Sequence, residues 1–284
     1  MKIIRLMKEE IKKMYTNPAF FVVIFAVMLI YMTGVVYIEP MTEKSYNLLN
    51  ISSMENYREV LAGSWVSTET MIIRGPNSYI WMFAPILASV PFVALLCGAK
   101  KNNNIRFEMM RVGKRSYIVG KMLAAMVTGG TAFLIGYIGY AIACYFILIP
   151  IGEEGLFDIS MNSNLNQLYE IGGIALIIVL RFVCIFAYGM TATILPFAVS
   201  SLIRNKYLVI CVPFMLSYFV EVFFGKPIDF IMELSRTFSA SQPANMVRFD
   251  LEQNLRILLY WLVCVVLTMI LHYVVLNRRC DCGE

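Results

Sequence analysis

The chain has 284 residues, of which 59% are apolar and 15% are charged, and its mean hydropathy is +0.70. Soluble domains are about 45–50% apolar and about 25% charged. This composition therefore excludes an ordinary soluble domain, a secreted disulfide scaffold and a disordered chain, and it indicates a polytopic integral membrane protein. The net charge of +5 follows from membrane topology, as the distribution of basic residues below indicates, so we expect no nucleic-acid partner.

Residues 1–17 predict a basic amphipathic helix at the cytoplasmic membrane surface. One helical face is apolar and carries Ile3, Met7, Ile11 and Met14. The opposite face is basic and carries Lys2, Arg5, Lys8, Lys12 and Lys13. Such a helix lies in the interface plane with its apolar face towards lipid, so membrane lipid is an expected partner. The apolar run that follows is too long for a cleaved signal peptide.

Six apolar runs are long enough to cross a bilayer, which takes about 20 residues at about 1.5 Å each. They are residues 19–38, 79–99, 117–149, 171–203, 207–224 and 257–276. The third and fourth runs lack an internal turn signal, so each predicts one helix that protrudes from the bilayer. We therefore predict an all-α fold in which residues 18–284 form a single domain of six transmembrane helices.

The basic residues orient these spans, because Lys and Arg are retained in the cytoplasm. With the N-terminus inside, inner segments hold 16 basic and 5 acidic residues, and outer segments hold 7 basic and 13 acidic residues. The two sides thus carry net charges of +11 and −6. Both termini are predicted in the cytoplasm, and the outer loops are residues 39–78, 150–170 and 225–256.

Catalytic and metal-binding patterns are not found in the sequence. A G-x-x-x-x-G-K-[ST] loop, which cradles nucleotide phosphates, is absent. The single histidine, His272, has no second ligand near it in sequence, and Cys280 with Cys282 offers too few ligands for zinc. We predict that this chain is not an enzyme and holds no metal or cofactor of its own.

The third span carries a seam of small residues at spacings of 4, 3, 4, 3 and 4. Its members are Ala125, Gly129, Ala132, Gly136, Gly139 and Ala143. Small residues let membrane helices approach closely where no hydrophobic effect drives their association. The seam predicts close packing within the bundle; lining a path or a subunit interface is the alternative.

The cytoplasmic segment 100–116, between the second and third spans, predicts a short helix. Asn104 suits a helix start and Gly113 a helix end. The eight residues between them make about 12 Å of helix. A solvated basic loop is the simpler alternative.

Within this short helix, Ile105, Met109 and Val112 share one face at i, i+4 and i+7. Glu108 and Arg111 can pair at i, i+3. An apolar face on a helix in a loop suits docking of a protein. We expect its three apolar side chains to be exposed in the isolated chain.

Parts of the chain resemble the ABC type-2 transporter permease family, in which an Ile-Arg opens a coupling helix and a Gly-Lys leads into the third span. The resembling segments are Ile105-Arg106, Lys114-Arg115-Ser116-Tyr117-Ile118-Val119-Gly120-Lys121 and Ser200-Ser201-Leu202-Ile203-Arg204-Asn205-Lys206-Tyr207. The order of an interfacial helix and six spans is also similar to that family.

The resemblance implies the permease subunit of a bacterial exporter in the cell membrane, moving a peptide, drug or lipid-like substrate. Its partners would be a separate ABC ATPase, which binds ATP and Mg²⁺, and a second copy or a related permease. ATPase coupling would fall to Ile105, Arg106, Glu108, Met109, Arg111 and Val112. The family also implies a short re-entrant helix, here at residues 227–238.

Two charged residues, Arg181 and Glu221, lie inside apolar runs. A lone charge in the bilayer costs a few kcal/mol or more and tends to find a partner. We predict that the two residues pair, or face a polar cavity, near an outer gate. The alternative is that Arg181 snorkels to lipid headgroups.

Two other functions remain open from the sequence. A non-transporting membrane assembly or sensor subunit would share the composition and topology. A secondary transporter would call for inverted repeats and membrane-buried acids; no repeat is evident, and only Glu221 is such an acid.

Overall fold

The computed structural model describes residues 2–40, 43–54, 56–76, 80–101, 104–161, 163–203, 205–224 and 251–281, and these are mostly helical. In chain order the elements are α1 (Lys2–Tyr15), α2 (Pro18–Thr33), β1 (Val35–Ile38), β2 (Ser45–Asn47), a 3₁₀ turn (Ile51–Ser53), α3 (Tyr57–Ala62), α4 (Thr68–Arg74), α5 (Ile80–Lys101), α6 (Asn104–Val112), α7 (Lys114–Ile147), α8 (Glu153–Met161), α9 (Ser163–Ala192), α10 (Ile194–Leu202), α11 (Lys206–Phe224) and α12 (Leu251–Asp281). The predicted re-entrant segment 227–238 lies outside the described residues.

Two helices among the described residues are long and apolar enough to cross a membrane, Lys114–Ile147 and Leu168–Leu202. A third candidate is the pair Ile3–Tyr15 and Pro18–Thr33, which is bent by 69° between its helices. The apolar helices Met82–Val93, Lys206–Leu216 and Leu262–Leu276 are shorter. Membrane association is therefore indicated by helix length and composition, and six spans stay a prediction.

The fold is mostly helical, as predicted, and the described residues also contain one short β-hairpin. α2 ends at Thr33, because Gly34 adopts an extended conformation with φ −66° and ψ 149°. The β-branched and aromatic residues of β1 then favour a strand, and β1 pairs antiparallel with β2. The first predicted span thus loses its last turn to a hairpin.

The fourth predicted span corresponds to the candidate helix Leu168–Leu202, which is interrupted at a single residue. α9 and α10 are separated at Thr193, three residues before Pro196. Proline has no N–H to bond the carbonyl four residues earlier, here that of Ala192, and its ring clashes with that carbonyl. Gly173 bends α9 again, with φ 67°.

α7 is the central helix and packs against α1, α2, α5 and α9. Its fully buried residues Phe133, Tyr137 and Tyr140 belong to an apolar cluster that also contains Leu48 and Leu61 from the segment between α2 and α5. That segment therefore folds onto one end of α7. We call this end the α4 end and the opposite end, where α6 lies, the α6 end.

The small residues of α7 allow two close helix contacts. A Cβ built on Gly130 would lie 2.8 Å from the Phe186 backbone oxygen in α9, and one on Gly189 of α9 would lie 2.8 Å from the Gly129 oxygen. On the other contact, a Cβ on Gly136 would lie 2.7 Å from Val27 Cγ1 in α2. Real Cβ atoms are essentially never this close, so these positions require glycine.

The predicted seam thus packs within the chain, but against two helices. Gly129 faces α9, whereas Gly136 and Gly139 face α2. Ala125 and Ala132 are fully buried and Ala143 is partly buried. Because a straight helix drifts relative to a heptad repeat, a seam of this length reaches more than one neighbour.

We predict that Gly130→Ala destabilises the protein by roughly 1–3 kcal/mol, because the new methyl group overlaps a backbone oxygen that cannot yield alone. The matched control is Gly98→Ala in α5, where a Cβ would meet nothing within 4 Å and helix propensity favours alanine by about 1 kcal/mol. Thermal unfolding in detergent measures both. Equal midpoints for the two variants would contradict the close α7–α9 contact.

Candidate functional site

The short helix predicted between Asn104 and Gly113 is confirmed as α6. It ends because Gly113 adopts φ 93°, a conformation that favours glycine, while the Gly113 N–H donates to the Met109 carbonyl at 2.8 Å. α7 begins at the next residue. α6 is therefore a separate nine-residue helix, held directly against the α6 end of the central helix.

The expectation that Met109 is exposed is wrong. Its side chain is 6% exposed and packs with Leu6, Tyr117 and Ile118 of α1 and α7. Val112 packs on the same cluster, so this apolar face points into the chain. The side chains of Ile105 and Arg106 lie outside the described part.

The face of α6 that points away from the bundle carries Phe107 and Met110, whose side chains are 71% and 77% exposed. Arg111, beside them, is also exposed. A docking surface on α6 would therefore use Phe107 and Met110, which sequence reasoning missed. Their i, i+3 spacing was a visible signal, but one that the Ile105–Met109–Val112 pattern obscured.

A buried ion cluster explains the orientation of α6. Lys121 of α7 is 3% exposed, and its Nζ lies 2.9 Å from Glu108 Oε2 of α6 and 3.6 Å from Glu10 Oε2 of α1. Lys13 Nζ lies 2.7 Å from the other carboxylate oxygen of Glu10. Glu108 thus pairs with Lys121 of α7, and its pair with Arg111 stays a prediction.

Two ammonium groups and two carboxylates balance each other in this cluster. Burial makes such pairs strong but expensive to break, because removing one partner leaves an uncompensated charge. The Lys121 ammonium also lies 4.7 Å from the centre of the Tyr117 ring. Three helices are thereby tied together at one point: α1, α6 and α7.

α1 packs on the bundle through an acid as well as through apolar side chains. Leu6, Glu10 and Met14 are buried, whereas Met7 and Ile11 of the predicted stripe are only partly buried. The apolar stripe, predicted to face lipid, therefore lies against the bundle, and the most buried positions are Leu6, Glu10 and Met14. Nothing in the sequence indicated that Glu10 is buried, because an acidic residue among lysines is typical of a solvent-exposed helix face.

Arg181 is fully buried in α9, so the alternative in which it snorkels to lipid headgroups is wrong. Its Nε donates to the Tyr137 hydroxyl at 3.3 Å, and its Nη2 donates to the Arg74 carbonyl at 3.1 Å. The Tyr137 hydroxyl in turn donates to the Ile72 carbonyl at 2.6 Å. Arg181 and Tyr137 therefore hold the last turn of α4 against the bundle.

The predicted pair of Arg181 with Glu221 cannot be traced in full, since the Glu221 side chain lies outside the described part. The helix that carries Glu221, α11, has α5 and α10 as its main neighbours, whereas α9 packs mainly on α7. The pair stays a prediction.

Within the described ranges, no group of three or more His, Cys, Asp or Glu side chains is arranged to hold a metal ion. His272 stacks on Phe197, with ring centres 4.4 Å apart, and is 6% exposed. Its contact with an aromatic ring is a packing role.

No protein-family model matches this chain, and no curated protein matches its sequence.

We predict that Lys121→Met lowers stability by about 3–5 kcal/mol, because Glu10 and Glu108 lose their shared cation in a buried site. The triple variant Glu10→Gln/Lys121→Met/Glu108→Gln, which removes all three charges, should recover most of this loss. Thermal unfolding in detergent is the measurement.

The control is Arg5→Met, because Arg5 pairs with Glu9 at 3.4 Å on the exposed side of α1 and exposed pairs contribute little. If Lys121→Met were as mild as Arg5→Met, the ion cluster would not hold the three helices together.

Proposed function

We propose that the chain is the membrane-spanning permease subunit of a bacterial ATP-binding cassette transporter that exports a peptide, drug or lipid-like substrate. ATP and Mg²⁺ would bind in a separate ATPase subunit. The observation that carries the proposal is α6, a short helix between two apolar helices with Phe107 and Met110 exposed on its outer face.

Two exposed large apolar side chains side by side on a short helix suit a protein partner. Aromatic residues and methionine are enriched at interface cores, and a few such anchors carry most of the binding energy. Arg111 lies beside them and would set register more than affinity. A partner bound to this face would contact a helix whose opposite side is held to α7 by the ion pair of Glu108 with Lys121.

The ion cluster can transmit a movement of α6, caused by a bound partner, to the rest of the bundle. Lys121 joins α6 to α1 and to α7, and α7 contacts α2 and α9 through close glycine packing. Packed interfaces with discrete arrangements move as units rather than deform continuously. A shift of α6 on ATP binding would therefore reach the central helix.

The proposal includes six spans, cytoplasmic termini and a pair of permease subunits in the cell membrane. Its support is the six apolar runs and the 16-to-7 division of basic residues. The seam of α7 is occupied by α2 and α9 within one chain, so the contact between two permeases would use other faces. α1 would lie at the cytoplasmic leaflet.

The test begins with the tagged full chain, purified from its native host with bound proteins. The expected partner carries a G-x-x-x-x-G-K-[ST] loop and hydrolyses ATP. Phe107→Asp and Met110→Asp should each weaken its binding at least about tenfold, since a charge buried without a partner is costly. Chain and partner would be mixed in detergent and the dissociation constant measured.

The matched control is Leu49→Asp, an equally apolar and 53% exposed side chain at the α4 end. It should leave ATPase binding unchanged. Undiminished binding in both α6 variants would remove α6 as the docking site. Absence of any ATPase partner would favour the non-transporting assembly or sensor subunit.

The topology has its own test. In a background without the native thiols, Ser52→Cys should label from outside intact cells, and Arg115→Cys only after permeabilisation. Both positions are exposed, and they lie at opposite ends of α7. Labelling of both from the same side would contradict the proposed orientation.

A further inference from the structure

Arg181 carries a positive charge that no described side chain neutralises. The side chain is 0% exposed, and its described hydrogen bonds go to the Tyr137 hydroxyl and the Arg74 carbonyl, both uncharged. Its Nη1 has no hydrogen-bond partner. Glu69, the acid of α4, accepts instead from the Ile151 N–H at 2.8 Å.

This arrangement is energetically incomplete. Arginine does not lose its proton in proteins, and a buried charge without an opposite charge costs several kcal/mol, of which the Tyr137 ring, 5.5 Å from the guanidinium carbon, offsets a part. A simple structural role, in which Arg181 caps the last turn of α4, accounts for Nη2 and its carbonyl acceptor. That role gives Nη1 no hydrogen-bond acceptor, and it provides no negative charge to balance the guanidinium.

Two tyrosine hydroxyls in the same cluster also lack good partners. Tyr31 and Tyr140 pack on Tyr137 with ring centres 4.8 and 5.5 Å away, and on each other at 5.6 Å. The Tyr31 hydroxyl is buried with no hydrogen-bond partner. The Tyr140 hydroxyl meets no nitrogen or oxygen partner either, and has only the weakly accepting Cys144 thiol near it.

Unused donors from three helices therefore lie around the Tyr137 ring, and the Arg181 guanidinium carbon lies 5.5 Å from the centre of that ring. Nη1 comes from α9, the Tyr140 hydroxyl from α7 and the Tyr31 hydroxyl from α2. Buried polar groups in native proteins are nearly always hydrogen-bonded, and each exception calls for an explanation. A guanidinium without a counter-ion, together with hydroxyl groups that can donate hydrogen bonds, is suited to bind an oxyanion such as a carboxylate or a phosphate.

We infer that Arg181, Tyr31 and Tyr140 form a binding site for the oxyanion, carboxylate or phosphate, of an amphiphilic molecule. The cluster lies in the apolar core, 23 residues along α7 from Lys114, or roughly 34 Å from the α6 end. Buried in the same cluster as these tyrosines are the apolar side chains of Phe133, Ile185 and Tyr188. An anionic head with an apolar tail matches a polar site with apolar surroundings.

Because the donors are packed inside the core, binding requires side chains around Nη1 to rearrange. The last turn of α4 is the segment that Arg181 already holds by a single carbonyl. This inference concerns a ligand of the chain itself and does not depend on an ATPase partner. Its failure would leave the α6 proposal standing.

The experiment measures the thermal unfolding midpoint of the full chain in dodecyl maltoside against probe concentration. The probes are oleate, dioleoyl phosphatidic acid, inorganic phosphate and, as the uncharged control, oleyl alcohol. A ligand that binds only the folded state raises the midpoint. Oleate or phosphatidic acid should raise it and oleyl alcohol should not.

Comparison of the probes also shows whether the oxyanion belongs to an amphiphile or is a free ion. A rise that needs the oleyl chain assigns the site to an amphiphile, whereas an equal rise with inorganic phosphate assigns it to the free ion. Either result supports an oxyanion site. No rise with any anionic probe, for the wild-type chain, overturns it.

Arg181→Gln should weaken oleate binding at least about tenfold, since it removes a charge-assisted contact. Arg58→Gln, an exposed arginine in α3, is the matched control and should bind as wild type. Should Arg181→Gln not fold, Tyr31→Phe removes only the unpartnered hydroxyl, so it should fold normally yet bind oleate more weakly.

Equal oleate affinity in wild type, Arg181→Gln and Tyr31→Phe would overturn the inference. A second contrary result involves the predicted pair with Glu221. If Glu221→Gln bound oleate while the wild-type chain did not, Glu221 would be the internal counter-ion of Arg181.

Discussion

The close approach of α7 to α2 and α9 is the constraint on which the rest of the structure depends. Backbone atoms of Gly129, Gly130 and Gly189 come so near that a methyl group does not fit between them. In a membrane, where burying apolar side chains gains little over lipid, such packing is a main source of helix association. It fixes α7 as the axis around which the other helices are placed.

Each end of that axis carries a buried cation, and the two are satisfied differently. At the α6 end, Lys121 and Lys13 are matched by Glu10 and Glu108, so the charges at the junction of α1, α6 and α7 balance. At the α4 end, the described contacts of Arg181 are uncharged: the Tyr137 hydroxyl and ring and the Arg74 carbonyl. The balanced charges around Lys121 suit a structural contact between helices of one chain. The unbalanced charge of Arg181 suits the binding of an anion.

The location of these sites separates the two proposals physically. The exposed pair Phe107 and Met110 lies on a short helix outside the apolar core, where a protein can reach it. Arg181 lies inside the core at the opposite end of α7, where only a ligand that enters the bundle can reach it. A transporter driven by a separate ATPase would need both a docking surface and a ligand site, linked by one rigid helix.

The sequence by itself indicated membrane association and predicted the apolar helices, the bounds of α6 and the small-residue packing of α7, because these follow from composition, spacing and local backbone preference. Only the tertiary structure decided which way α6 faces. Met109 and Phe107 are both apolar, and what turns Met109 inward is the contact of Glu108 with Lys121, two residues on different helices. The same holds for Arg181: its neighbours Tyr137 and Arg74 are distant in sequence, and long-range contacts of this kind leave no periodic signal.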